Sequence, residues 1–374
     1  MQRHPALACL PALSALSALS ALSALWALAA GPAVAAGGTP GLGRIHEYQN
    51  WLVACDNTRD CQAQGYAGSP ADGVGQAALV LRRNAGPGQA TTLELRFARF
   101  ADTDRAPAPG QPVHLRAGAL RLQLPAVDPR TEILHVPTAQ VPALLQAVQR
   151  AARLELQAGP LRWQVSLAGA RAALLKLDEL QGRLGTPGAL VARGPRPEAA
   201  VPQPAMPRVQ AAALPPTGEA DRRLEPALRA ALPGPDDDCP GFDPQQPLAG
   251  PWRLDTRSLL VVQACFRGAY QLGSRLWQVD DTPPHAARLL RPPRPNLEPG
   301  DGPDDGVVVI ERLQVDTQLE LHEAAKSRGI GDCWSSSTWV WTRHGLALLA
   351  ADQSACLAFE AGGIAFTLWR AERR

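Results

Sequence analysis

Six cysteines, Cys55, Cys61, Cys239, Cys265, Cys333 and Cys356, follow an apolar N-terminal stretch that has the form of an export signal. Arg3 and His4 supply a small polar start, and an apolar run extends from Ala6 to Ala30 with Ser14, Ser17, Ser20 and Ser23 at every third place. Ala33 and Ala35 then form an A-x-A cleavage site, so residues 1–36 are expected to be a signal peptide and the mature chain to begin near Ala36. Cys9 precedes the apolar run's end and is no lipid-attachment site. Left uncleaved, the run is long enough to span a bilayer, and it is the one membrane attachment the sequence offers. An even number of cysteines behind such a signal implies disulfides, and hence a periplasmic or secreted protein. The chain's organisation favours pairing of sequence neighbours: Cys55 with Cys61, Cys239 with Cys265, Cys333 with Cys356. Each closed loop would stabilise by roughly 2–4 kcal/mol. Zinc is a poor alternative, because the Cys55–Cys61 interval is wider than the usual ligand spacing and no second Cys or His pair follows nearby.

The 374 residues are 45% hydrophobic and carry a net charge of +2. Cores can therefore form, and binding to nucleic acid through bulk positive charge is not expected. Prolines crowd the stretch from Thr186 to Asp238, among many alanines. That composition predicts an extended, semi-rigid linker, residues 186–238, between two domains. A helix over Glu219–Ala231 would be interrupted by Pro226.

Within the first domain, residues 43–185, apolar side chains alternate at Leu93, Leu95 and Phe97, at Leu120, Leu122 and Leu124, and at Leu161, Trp163, Val165 and Leu167. Each set puts its apolar side chains on one face of a strand. Thr138 is placed to cap a helix through Leu144, Leu145 and Val148, ahead of a strand at Arg153–Gln157. Ala170, Ala173, Leu174, Leu177 and Leu180 recur at helical spacing. The second domain, residues 239–374, reads as strands at Leu259–Cys265, Arg275–Val279, Val307–Arg312, Val315–His322, Thr338–Thr342, Leu346–Ala350 and Ile364–Arg370. The fold class is thus α+β and mainly β: an N-terminal sheet with two covering helices, a Pro-rich linker and a mostly antiparallel C-terminal domain.

WLVACDNTRDCQAQGY (Trp51–Tyr66), ACFRGAYQLGSRLW (Ala264–Trp277), GIGDCWSSSTWVWT (Gly329–Thr342), Cys356 and Leu368-Trp369-Arg370 together resemble the bacterial family known as domain of unknown function 1176. PVHLRAGALRLQLP (Pro112–Pro125) and WQVSLAGARAALLKL (Trp163–Leu177), with the intervening helix, more loosely resemble the invasion-associated locus B family of exported proteins. The first resemblance implies an exported envelope protein and carries over no catalytic residue.

Residues with chemistry are few. Asp56, Asn57 and Arg59 lie in the small loop between Cys55 and Cys61, which is either a recognition surface or a stapled turn whose Asp56 and Asn57 bond local backbone. Trp339 and Trp341 share one strand face; exposed they would stack on sugars or anchor a protein, whereas buried they are core. Few other large apolar residues flank them, which favours the core. His322-Glu323 is followed by Lys326 where a zinc protease needs histidine. Neither Asp236–Asp238 nor Asp301, Asp304 and Asp305 fits a calcium loop, and Arg312 stands where the loop's glutamate belongs. Ser335–Ser337 lack a nucleophile elbow. No metal and no cofactor is expected. The arginine pairs Arg82-Arg83, Arg222-Arg223 and Arg373-Arg374 are scattered. These readings point to a non-enzymatic envelope binding module whose partner is another envelope protein or a cell-wall glycan. The competing reading is a hydrolase with a site between the domains, which requires His322, His344, Glu323 or Asp332 to meet a serine in one cleft.

Overall fold

Two apolar runs that do not alternate, WLVAC (Trp51–Cys55) and AALVL (Ala77–Leu81), must be buried on both faces wherever they lie in a sheet. A computed structural model describes residues 41–67, 74–99, 105–240, 249–295, 306–357, 359 and 363–374. The expected signal peptide and the acidic positions Asp301, Asp304 and Asp305 lie outside these residues. Both runs form strands at the centre of the N-terminal half. That half opens with an antiparallel meander of β1 (His46–Tyr48), β2 (Trp51–Cys55), β3 (Cys61–Gly65), β4 (Gly75–Arg83) and β5 (Thr91–Phe97). It continues with the hairpin β6 (Val113–Ala117) and β7 (Leu120–Leu124), the short β8 (Leu134–His135), α1 (Val141–Val148), the hairpin β9 (Arg153–Ala158) and β10 (Leu161–Ser166), and α2 (Ala170–Leu180). A short parallel pairing of β10 with β4 joins the second group to the first, giving the order β1-β2-β3-β4-β10-β9-β6-β7.

One face of these strands meets α1 and α2 in a core that includes Trp51, Val53, Leu79, Leu95, Phe97, Leu156, Trp163 and Leu174. α2 forms as its spacing predicts, burying Ala170, Ala173, Leu174, Leu177 and Leu180. Its N-cap is Gly169, at φ 92°, where a Cβ would sit 1.8 Å from the carbonyl oxygen of Tyr48, so only glycine fits. α1 begins later than its sequence suggests. Thr138 makes no capping bond; residues Thr138–Gln140 form a 3-10 turn, and the helix starts at Val141 with Pro142 in its first turn, where a missing N–H costs nothing.

The opposite face of β2 and β4 presents Leu52, Ala54, Ala78 and Val80, and these pack against Phe359, Ile364, Phe366 and Leu368 from the far end of the chain. That contact is why the two runs are continuous rather than alternating.

The connecting stretch carries β11 (Arg208–Val209), α3 (Glu219–Arg223) and α4 (Glu225–Ala231), the helix pair being broken at Leu224 just before Pro226. The segment expected as an extended linker, residues 186–238, also contributes to the packing. Leu190 enters the N-terminal core, Leu214 enters the C-terminal one, and Leu228 of α4 is fully buried. The Ala212 and Leu214 N–H groups donate to the carbonyls of Trp341 and Thr317. Proline supplies no N–H, but the alanines and leucines between the prolines have both a donor and an apolar side chain, and these fasten the segment.

The C-terminal half is an antiparallel sheet of β12 (Ala249–Arg253), β13 (Ser258–Arg267), β14 (Leu272–Asp280), β15 (Ala287–Leu290), β16 (Val307–Val315), β17 (Leu319–Lys326), β18 (Trp334–Thr342), β19 (Gly345–Gln353) and β20 (Phe366–Arg370). A last strand, β21 (Glu372–Arg373), pairs with β11. β13 is buried on both sides: Leu260 and Val262 face the main core, and Leu259 and Val261 face α4. The single strand predicted over Val315–His322 is instead a hairpin end. Asp316 accepts the Gln318 N–H at 3.1 Å, so the chain turns between β16 and β17 even though Val315, Thr317, Leu319 and Leu321 alternate. Periodicity does not register a turn whose loop residues happen to keep the alternation going.

Candidate binding site

The three disulfides join the cysteines as their sequence spacing suggests. They place the chain in an oxidising compartment outside the cytoplasm. Among the described residues no helix is long and apolar enough to cross a membrane.

Asp56, Asn57 and Arg59 do not form an open recognition surface. Asp56 is 1% exposed and accepts the Thr58 N–H at 2.8 Å, the Thr58 hydroxyl at 2.7 Å and the Asp60 N–H at 3.1 Å. Arg370 of β20 donates from Nε to Asp56 at 2.6 Å and reaches Thr58 at 2.8 Å, with Asp60 as a further partner. Asn57 exchanges bonds with the Arg370 backbone at 2.9 and 2.7 Å, and Arg59 donates to the Leu180 carbonyl. Burial acts against the charge on Arg370, but Asp56 and Asp60 outweigh it and hold the guanidinium pKa above its ordinary value. The loop is a clasp between the two halves of the chain.

Trp339 and Trp341 take the core alternative, which their flanking residues favour, and not the surface one. They are 0% and 5% exposed, inside the C-terminal core. The Trp339 indole donates to the Pro293 carbonyl at 2.7 Å and lies 5.7 Å beneath the Arg294 guanidinium. An aromatic ring so placed has no face left for a sugar.

Of the groups a hydrolase would need, Glu323 stands opposite Ser337 across the β17–β18 ladder, but its carboxylate is taken up elsewhere. Glu323 is 3% exposed and held by Arg294 through bonds of 2.6 and 2.8 Å, and Asp332 is fully buried against Arg328. His322 lies against Glu320, Arg312 and Thr338 in the middle of β17, while His344 stands in the β18–β19 turn beside Arg343. Asp236 accepts the Cys239 N–H and pairs with Arg275 at 2.6 Å, which ties the disulfide-bearing segment to β14.

What the structure assembles instead is the outer face of β7-β6-β9-β10. Core-facing residues of these strands alternate with polar ones, and the registers align the polar ones in two transverse rows. Gln123, His114, Gln157 and Arg162 stand side by side in one row; Arg121, Arg116, Glu155 and Gln164 stand in the next. Arg153 lies on the same face of β9, two residues from Glu155. A shallow groove of about 800 Å³ runs over them. Four arginines therefore share this surface with one carboxylate. Glu155 accepts from Arg116 at 2.6 Å and from Arg153 at 2.9 Å, and the Arg116 bond leads in holding its pKa below the ordinary carboxylate value. Among the described residues the Arg121 side chain donates only to the carbonyls of Gly118 and Leu120 within its own turn, and the Arg162 guanidinium has no partner. Arg116 and Arg121 face each other directly across the β6–β7 ladder, a like-charge pair that disfavours the hairpin. Cations spaced at strand separation span about 14 Å across four strands.

The members of this face come from two separate hairpins, and no local pattern in the sequence joins them. The available signal was that Arg116, Arg121, Arg153 and Arg162 all occupy the polar phase of an alternating strand.

The family profile described as a protein of unknown function (DUF1176) matches residues 45–372. The chain belongs to that family. The match spans both sheets and includes the segments on which the invasion-associated locus B resemblance rests, so the first half is assigned with the second to DUF1176. The chain is also similar to the uncharacterised protein YpfG of Escherichia coli (strain K12), 26% identical over 314 residues, which is 78% of this chain and 82% of that one. No solved structure matches.

Proposed function

We propose that this DUF1176 member is an exported, non-enzymatic binding protein of the bacterial envelope, periplasmic or secreted, and that the arginine face of β7-β6-β9-β10 holds an acidic cell-wall glycan. The observation that carries this reading is the excess of positive charge along a shallow polar groove: four arginines, one carboxylate, and a guanidinium on Arg162 with no partner among the described residues. An extended polyanion fits this better than a single small anion, because the cations are spread along two rows rather than converged on a point. Guanidinium groups bind carboxylate and phosphate through paired donors, which suits them to such a ligand.

Binding of polygalacturonate, with neutral dextran as control, tests the reading. Polygalacturonate is expected to bind and to weaken as salt screens the surface charges. Arg162→Gln should weaken it about 3- to 10-fold, in line with loss of one charged contact. Glu155→Gln should strengthen it, because Arg116 and Arg153 are released from their internal acceptor. Binding indifferent to both substitutions, or equal binding of neutral dextran, refutes the assignment.

A further inference from the structure

A second groove lies on the other side of the N-terminal half and shares no lining residue with the arginine face. Its volume is about 730 Å³, within the range of roughly 300–1,000 Å³ typical of small-molecule sites. One wall is α1 and its exit, where Val141, Leu145 and Gln149, and beside them Pro142, Gln146 and Arg150, repeat at four-residue spacing and so stack into two parallel stripes. The facing wall is the β4–β5 turn, from Arg83 to Thr91, and the far end is closed by Gly188, Leu190 and Arg193. From Val141 to Arg150 the groove follows about 14 Å of helix axis.

Its chemistry is divided along that length. Val141, Pro142 and Leu145 make the end near the start of α1 apolar, whereas Arg150, Arg193 and Arg83 gather towards the other end, and no Asp or Glu lines the groove. The Arg150 guanidinium has no partner among the described residues, and that of Arg193 donates among them only from Nε, to the Ala189 carbonyl at 2.9 Å. Arg83 is nearly buried, bonded to the carbonyls of Gln89 and Gly188 at 3.0 and 2.7 Å. Burial and the neighbouring Arg183 charge depress its pKa to about 10 against the opposing pull of Asp178 and Glu198, whose carboxylates are bonded to the backbone of the closing segment and do not line the groove. Gln149 donates to the Leu145 and Leu190 carbonyls and so ties the end of α1 to the closing segment.

We propose that this groove binds a small amphiphilic carboxylate, its acyl chain along α1 over Leu145 and Val141 and its carboxylate between Arg150 and Arg193. The shape is a channel with an apolar end and a cationic end, and the ligand that complements both is a chain with one anionic terminus. Calorimetric titration of the full exported protein with decanoate tests it, with decanol and decyltrimethylammonium as matched chains of other charge. Decanoate is expected to bind at least about 10-fold more tightly than decanol, the factor that one charge-assisted contact supplies. Arg150→Gln and Arg193→Gln should each weaken decanoate about 3- to 10-fold with unchanged melting temperature, while Arg162→Gln on the arginine face leaves it unaffected. Absence of millimolar decanoate binding, equal affinity for decanol, or an Arg150→Gln/Arg193→Gln double variant that binds as wild type overturns the assignment.

Discussion

Removal of the Asp56 carboxylate separates a clasp from a recognition loop. In Asp56→Ala the Thr58 N–H, the Thr58 hydroxyl and the Asp60 N–H lose their acceptor, and Arg370 loses its bond from Nε. Thr58 is 2% exposed, so its stranded donors cannot turn to water, and unsatisfied buried donors cost about 1–3 kcal/mol in total here. The Arg370 side chain is 38% exposed and keeps Asp60 and Thr58 as partners, so the lost ion pair adds only about 1 kcal/mol after solvent screening. A loss of about 2–4 kcal/mol is therefore expected in urea unfolding with the disulfides intact, read as a shift of midpoint by both fluorescence and circular dichroism. Asp56→Asn retains an acceptor oxygen for the local bonds and should lose about half as much. A double-mutant cycle with Arg370→Met should show coupling, since the two side chains touch. If Asp56→Ala costs less than about 0.5 kcal/mol, the range of an ordinary surface change, the clasp reasoning is wrong.

Other consequences are equally open to measurement. Trp339→Ala empties a fully buried site and should cost about 3–5 kcal/mol by denaturant titration, with polygalacturonate affinity unchanged in the folded fraction. Replacing Cys239 and Cys265 together by alanine frees the segment beyond α4 from β13 and should cost about 3 kcal/mol, measured against the same protein with the other two disulfides intact. The Arg253 bond holds the Asp221 carboxyl below its ordinary 3.8. A depressed folded pKa means that the stabilisation is fully present above that value and is lost as pH falls through the folded one. The stability gap between wild type and Asp221→Asn should therefore narrow as unfolding is repeated from about pH 7 down to about pH 3. Glu155 follows the same sign: protonating it at low pH frees Arg116 and Arg153, so a sulfated glycan, which stays ionised, should bind more tightly in acid.

The sequence by itself determined the disulfide pairing, the α2 helix, most strands and the break at Pro226. The helix, the strands and the break depend on neighbours within a few residues, through a 3.6-residue repeat, a period of two and a missing N–H, and the disulfides join cysteines that are 6, 26 and 23 residues apart, each the next in sequence. It could not place Trp339 and Trp341 with certainty, since a buried and an exposed strand face carry the same alternation until the opposing layer is known. Nor could it show that Asp56 is claimed by Arg370, more than three hundred residues away, or that a proline-rich stretch lays Leu190, Leu214 and Leu228 into successive cores. The arginine face was decided by tertiary structure alone. β6 and β9 pair across a helix, and only that register brings Arg116 and Arg121 of one hairpin beside Arg153 and Arg162 of the other. Strand pairing is a long-range event with no local signature, so the surface chemistry it creates is absent from the sequence until the sheet exists.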